Sequence, residues 1–155
     1  MARLRRILMD MFHRPATRHR QEVPFLPGIF VREPFERFLL RGSPASYEAR
    51  ARGLRLLEEN LSPAQREQYD RYGYFDVTGG ETGRRYRIKN RFQVNVEQLD
   101  KKGRAVRLLC FMPDGELVLG DVMLAQKLAL ELFESDTLKV ANEFSPDPYR
   151  FAPMP

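Results

Sequence analysis

The sequence predicts an α+β fold: an antiparallel meander of about four strands, covered by a long C-terminal helix and preceded by two helices, with extended arms at both termini. Three observations predict it. Two proline-opened helical segments occupy residues 43–73, the hydrophobic period then switches to alternation over residues 74–112, and an apolar stripe at helical spacing returns over residues 122–134. With 155 residues, 43% of them hydrophobic, the chain suits one core. We divide it into a basic leader and aromatic arm (1–42), a single α+β domain (43–144) and a proline-rich tail (145–155).

The leader "MARLRRILMDMFHR" sets Leu4, Ile7, Leu8, Met11 and Phe12 at the spacing of an amphipathic helix. Four uses fit such a helix: lying on an anionic membrane surface, entering a partner's groove, targeting an organelle, or packing on its own domain. Residues 21–42 place Pro24, Pro27 and Pro34 among Phe25, Phe30, Phe35 and Phe38, so the early part is expected to be extended. Those rings need a dry surface, either the protein's own core or a neighbouring subunit. The tail repeats this chemistry, with Tyr149 and Phe151 between prolines, and is cheap to order against a partner.

In the body, Ser43 stands as a cap before Pro44, and Ala51, Leu54, Leu57 and Leu61 form one stripe of a first helix. "LSPAQREQYDRYG" opens a second, in which Ser62 caps, Gln65 completes a capping box and Gly73 stops the helix. Alternation follows. Phe75 and Val77 oppose Tyr74 and Asp76, "TGGETG" turns the chain, and Tyr86 and Ile88 oppose Arg85, Arg87 and Lys89. "FQVNVEQL" alternates Phe92, Val94 and Val96 against Gln93, Asn95 and Glu97, and after "KKG" the run "RAVRLLCFM" is apolar on both faces. Beyond the turn "PDGEL", Asp121 is expected to cap a helix from Val122 to Glu134. Leu124, Leu128 and Leu132 form its stripe, Lys127, Glu131 and Glu134 its wet side, and a further turn or two beyond a bend at Ser135 or Asp136 reaches Asn142.

Charge is unevenly placed. Six of the 26 basic residues and one of the 21 acidic residues lie in positions 1–20, which leaves twenty of each in the remainder and a neutral body behind a net charge of +5. A dedicated nucleic-acid-binding domain is usually basic throughout. The candidate anion contacts are therefore the leader arginines Arg3, Arg5, Arg6, Arg14, Arg18 and Arg20, with Arg85, Arg87 and Lys89 on the hairpin. The candidate partner-docking residues are Phe25, Phe30, Phe35, Phe38, Tyr149 and Phe151.

Several chemistries lack their residues. "GGETG" has no G-K-[ST] ending and runs into a strand, so it reads as a hairpin turn and not as a phosphate loop. The lone Cys110 has apolar neighbours and no histidine in the body to activate it, and it forms no intramolecular disulfide. His13 and His19 do not match zinc spacing, and Asp114 and Asp121 are better used in a turn and a cap. We expect no enzyme activity, no cofactor and no small-molecule substrate. No apolar run spans a bilayer and no secretory signal is recognisable, so the expected location is the cytoplasm or an assembled particle.

From about Leu61 to Asn142, the order "LSPAQREQYDRYGYFDV", "GRRYRI", "NVEQLD", "LLCFMPDGELVLGDVMLAQKLALE" resembles a domain of small uncharacterised proteins of bacteria and their phages. That group has no assigned activity, so the resemblance implies no catalytic residue. The element order also faintly resembles a SWIM-type zinc module. Val94, Asn95 and Val96, followed by Cys110 near Met112, replace that family's C-x-C and C-x-H pairs, so the resemblance implies a metal-free interaction fold.

The functional expectation is a non-catalytic binding or structural subunit that docks onto protein partners, or onto copies of itself, in a larger assembly such as a phage or bacterial particle. The alternatives are a nucleic-acid-binding accessory protein using the leader and the hairpin stripe, and a peripheral protein of anionic membrane surfaces.

Overall fold

The computed structural model of the chain describes Arg6, Met9, Asp10 and Phe12, and residues 44–92, 94–113 and 117–146. Helix α1 (Pro44–Glu59) begins at the predicted proline, while Ser43 lies outside the described residues. Its predicted stripe is only partly correct. Leu57 is fully buried and Leu61 half-buried, but Ala51 and Leu54 face solvent. The buried line runs instead through Gly53 and Leu57, because α1 crosses the long C-terminal helix backbone to backbone. A Cβ on Gly53 would stand 2.4 Å from the Val118 side chain, and one on Gly120 would stand 2.5 Å from the Gly53 backbone. A hydrophobic-stripe reading gives no weight to glycine, so it missed Gly53 and included Ala51 and Leu54.

Helix α2 (Pro63–Tyr72) has the expected ends. Ser62 accepts from Gln65 N–H at 3.3 Å, Gln65 accepts from Ser62 N–H at 3.1 Å, and Gly73 closes the helix with φ of 67°. No residue of α2 is fully buried. Its role is at a sheet edge: the backbone N–H of Asp76 donates to Gln68 Oε1, and Gln65 Nε2 donates to the Asp76 carbonyl, both at 2.9 Å. Two glutamines thereby occupy polar positions that an additional strand would otherwise pair with.

The sheet is an antiparallel meander in the order β1 (Tyr74–Thr78), β2 (Arg85–Lys89), β3 (Val96–Leu99), β4 (Ala105–Cys110) and β5 (Asn142–Phe144), so it has five strands where about four were expected. The additional strand begins at Asn142, which the sequence placed at the end of a helix. Ala141 leaves the helix in extended backbone, and the chain returns beside β4, pairing Asn142 with Cys110 and Phe144 with Leu108. Strand β3 is shorter than the predicted alternation. Val94 adopts φ of 45° and Asn95 is fully buried, so pairing with regular side-chain alternation starts only at Val96.

Strand register sets Phe75, Ile88, Val96 and Leu109 in one row across four strands, with Val77 and Tyr86 in the next, and all six are buried. Helix α3 (Leu119–Val140) lies on this face, with Met123, Ala129, Leu130 and Phe133 in the same core. Its N-cap is Val118, without a side-chain bond, and Asp121 sits inside the first turn, where its charge suits the helix dipole. The bend falls at Phe133 (φ −145°, ψ 46°). In a straight helix the carbonyls of Ala129 and Leu130 would accept from Phe133 and Glu134. Here Thr137 Oγ1 donates to the Ala129 carbonyl at 3.0 Å and Gly80 N–H donates to the Leu130 carbonyl at 3.1 Å.

The bend also redistributes the helix faces. Leu132, assigned to the apolar stripe, is 42% exposed, whereas Glu134, assigned to the wet side, is fully buried and Lys127 nearly so. At the other end of the core, Phe12 is buried edge-to-face on Phe111 at 5.5 Å and Met9 packs beside it. Of the uses open to the leader, its own domain takes these two side chains. Among the described residues, no helix is long and apolar enough to cross a membrane.

Candidate functional site

Arg85, Arg87 and Lys89 point to the sheet face opposite α3, as their alternation requires. Each meets a carboxylate on a neighbouring strand. Arg85 Nη2 donates to Asp76 at 2.8 Å, Arg87 Nε donates to the same carboxylate at 2.9 Å, and Lys89 donates to Glu97. Two guanidiniums thus share one carboxylate, and that cluster keeps a net positive charge. Glu81, in the loop before β2, accepts from the Ser135 hydroxyl and backbone N–H and pairs with none of these three cations.

Beside this charged row stands a stack that the sequence reading did not identify. The rings of Tyr72 and Tyr74 lie parallel, with centroids 5.4 Å apart and planes inclined by 15°. The Arg87 guanidinium lies 4.1 Å from the Tyr74 centroid, and that of Arg71 lies 5.4 Å from the Tyr72 centroid. The signal was present as Arg-Tyr-Gly-Tyr, a glycine turn between two tyrosines, but a helix stop and a strand start account for those four letters without any stacking.

On the other face, the glycine-rich turn surrounds an anion that belongs to the chain. The Glu134 carboxylate accepts from Thr82 N–H at 2.8 Å, Glu81 N–H at 3.1 Å, Thr82 Oγ1 at 2.5 Å and Tyr86 OH at 2.7 Å. A Cβ on Gly79 would fall 2.3 Å from the Glu134 carboxyl carbon, so a side chain there would displace the carboxylate from its donors. Burial pushes this carboxyl up, but the bonds from Thr82, Tyr86 and the two backbone N–H groups outweigh it and hold it below the usual range. Burial and the same carboxylate push the Tyr86 phenol above its ordinary value. "GGETG" is therefore a hairpin turn, as expected, and also a cradle for an internal carboxylate.

An open cleft of about 760 Å³ lies between the α1–α2 connection, β1 and α3. Within its charged lining Arg85 is engaged with Asp76 and Lys127 with Glu131 at 2.7 Å, while Glu59 is exposed. Cys110 is a half-buried free thiol. Among the described residues, no three His, Cys, Asp or Glu side chains gather as metal ligands.

Of the leader arginines, Arg6 is described and exposed. Arg3, Arg5, Arg14, Arg18 and Arg20, and the aromatic residues Phe25, Phe30, Phe35, Phe38, Tyr149 and Phe151, lie outside the described residues. The charged hairpin face and the tyrosine stack adjoin each other, whereas the Glu134 cradle is buried on the opposite face of the sheet. No protein-family model, curated protein or solved structure matches the chain.

Proposed function

We propose that the chain is a non-catalytic binding subunit that docks onto protein partners within a larger assembly, with the body serving as a rigid platform for its arms. One cross-strand row carries this reading. On the sheet face away from α3, Asp76, Arg87, Glu97, Leu108 and Phe144 stand in register across the five strands. The row is ionic over β1–β3 and apolar over β4–β5, where Phe144 is 37% exposed. This apolar end leads directly into the tail that holds Tyr149 and Phe151. Large side chains kept partly in water at the foot of an aromatic, proline-punctuated tail suit a partner that buries both together.

The test is affinity purification of the tagged chain from its own host, with mass spectrometry of the retained proteins. The wild type and a Phe144→Ser, Tyr149→Ser, Phe151→Ser variant are compared. A partner retained by the first and lost by the second supports docking. A monodisperse monomer that retains the same proteins in both forms rejects it. Removing residues 1–42 is an unsuitable control, because it also removes Phe12 from its core contact with Phe111.

A further inference from the structure

We propose that the Tyr72–Tyr74 stack and the arginines around it form a binding site for unpaired bases of single-stranded nucleic acid. The inference is independent of the docking reading, since it uses the ionic end of the outer sheet face and not the apolar end.

The first ground is the stack. Tyr72 is 54% exposed, yet its ring is held parallel to Tyr74, which is itself contacted by Arg87. An exposed tyrosine on a mobile side chain would lose rotamer freedom on binding, whereas a ring already fixed against a second ring loses little. Every base has a flat π-face, and base–aromatic stacking on such platforms is tolerant of sequence. A duplex keeps those faces inside its own stack, so the site selects single strands.

The second ground is charge. The outer residues of β2 are Arg85, Arg87 and Lys89, a line of roughly 13 Å at ordinary strand rise, and Arg91 follows in the bend after the strand, where its N–H donates to the Lys89 carbonyl at 2.7 Å. The Asn90 N–H donates to the Gly73 carbonyl at 2.8 Å, which brings this bend to the turn between Tyr72 and Tyr74. Arg91 stays exposed, held by a 2.7 Å bond to the Val94 carbonyl. Among the described residues, no carboxylate pairs with Arg71 or Arg91. Of Arg71, Arg85, Arg87, Lys89 and Arg91, the middle three are ion-paired, and they share the two carboxylates of Asp76 and Glu97. The nearby carboxylates of α2 are Asp70, which shares Arg66 with Glu58 (3.2 and 3.1 Å), and Glu67, one helical turn before Arg71. Bases on the tyrosines and phosphates on the unpaired arginines make a coherent track, which neither feature provides alone.

The experiment measures fluorescence anisotropy of the full chain with a labelled thymidine strand of about fifteen nucleotides, an abasic strand of equal length and a duplex, from about 50 to 200 mM salt. The expected order is thymidine strand tightest, with the abasic strand weaker by roughly tenfold. Tyr72→Ala should remove that difference while leaving abasic binding unchanged, and Tyr72→Phe should keep it. Arg91→Ala should lower the salt slope by about 0.7, as for one phosphate on a single strand. Circular dichroism and thermal melting establish that each variant is folded, and the half-exposed Tyr72 ring makes that outcome expected. Equal affinity for thymidine and abasic strands, tighter binding of the duplex, unchanged binding by Tyr72→Ala, or no binding at about 100 mM salt would each overturn the proposal.

Discussion

Tyr86 and Glu134, 48 residues apart in sequence, meet inside the core, where the phenol donates to the carboxylate at 2.7 Å. This bond joins β2 to the bend of α3, and the same carboxylate holds the loop that closes the β1–β2 hairpin. The two ends of the contact are unequal. Tyr86→Phe removes one donor and leaves Glu134 with those of Thr82 and Glu81, so it should cost about 1 kcal/mol. Glu134→Ala strands the Tyr86 hydroxyl, the Thr82 hydroxyl and two N–H groups, and should cost about 3 kcal/mol or more. Urea unfolding of the two variants checks the order, and equal costs would mean that water replaces the carboxylate without loss.

The same pair makes stability depend on pH at both extremes. The folded Glu134 carboxyl is held below its ordinary 4.5, so its stabilisation is present above that value and is lost as the pH falls through the lower folded one. The folded Tyr86 phenol is raised above its ordinary 10.0, so its stabilisation is present below that value and is lost as the pH climbs beyond it. Unfolding midpoints measured from neutral pH into acid should fall more steeply for the wild type than for Glu134→Gln, which has no carboxyl to protonate. In alkali the comparison is between wild type and Tyr86→Phe. Parallel curves in either limb would exclude that group as the source.

Local signals in the sequence were sufficient for the elements and insufficient for their contacts. Ser62, Gln65 and Gly73 define α2 through bonds that span three or four residues, and the Tyr86–Ile88 alternation assigns one face of β2 wherever β2 lies. Glu134 is different. Its charge places it in water unless four distant donors reach it, three from the β1–β2 loop and one from Tyr86 on β2, and nothing within one helical turn signals that they do. Gly53 and Gly120 likewise matter through what approaches them, so the α1–α3 crossing was not readable from α1 alone. The ionic side of the outer face was partly readable, since Asp76 and Glu97 were near in sequence. That Arg85 and Arg87 would share one of them depends on strand register.

The loop that cradles Glu134 is also fitted to the bend by shape. A Cβ on Gly80 would fall 1.8 Å from the Glu131 carbonyl oxygen, a backbone atom that cannot swing aside. Gly80→Ala must therefore lift the loop from α3, breaking the bond from Gly80 N–H to the Leu130 carbonyl. The expected cost is about 3 kcal/mol, at the upper end for a single added methyl. Hydrogen exchange should speed up at Gly80, Glu81 and Thr82 together, because their N–H groups all lose helix or carboxylate acceptors. Protection unchanged at Thr82 would show that the cradle holds without Gly80.

A second buried polar contact sets where α3 lies along the sheet. Asn95 Nδ2 donates to Gln126 Oε1 at 2.7 Å, and Gln126 Nε2 donates to Asn95 Oδ1 at 2.9 Å and to the Phe111 carbonyl at 2.7 Å. Both side chains are fully buried, so a slide of α3 by one turn would leave two amides unpaired in an apolar core. Gln126→Leu alone strands Asn95 and the Phe111 carbonyl and should cost about 2 to 4 kcal/mol. Adding Asn95→Leu removes one stranded group, so the double variant should be more stable than Gln126→Leu, in spite of carrying a second core substitution. What it should not recover is uniqueness. Without the paired amides the leucine surfaces accept more than one helix position, and the amide spectrum should broaden around Phe111 and Gln126 while the unfolding transition stays cooperative. A double variant less stable than the single one, or one with an unchanged sharp spectrum, would mean that apolar packing alone fixes the helix.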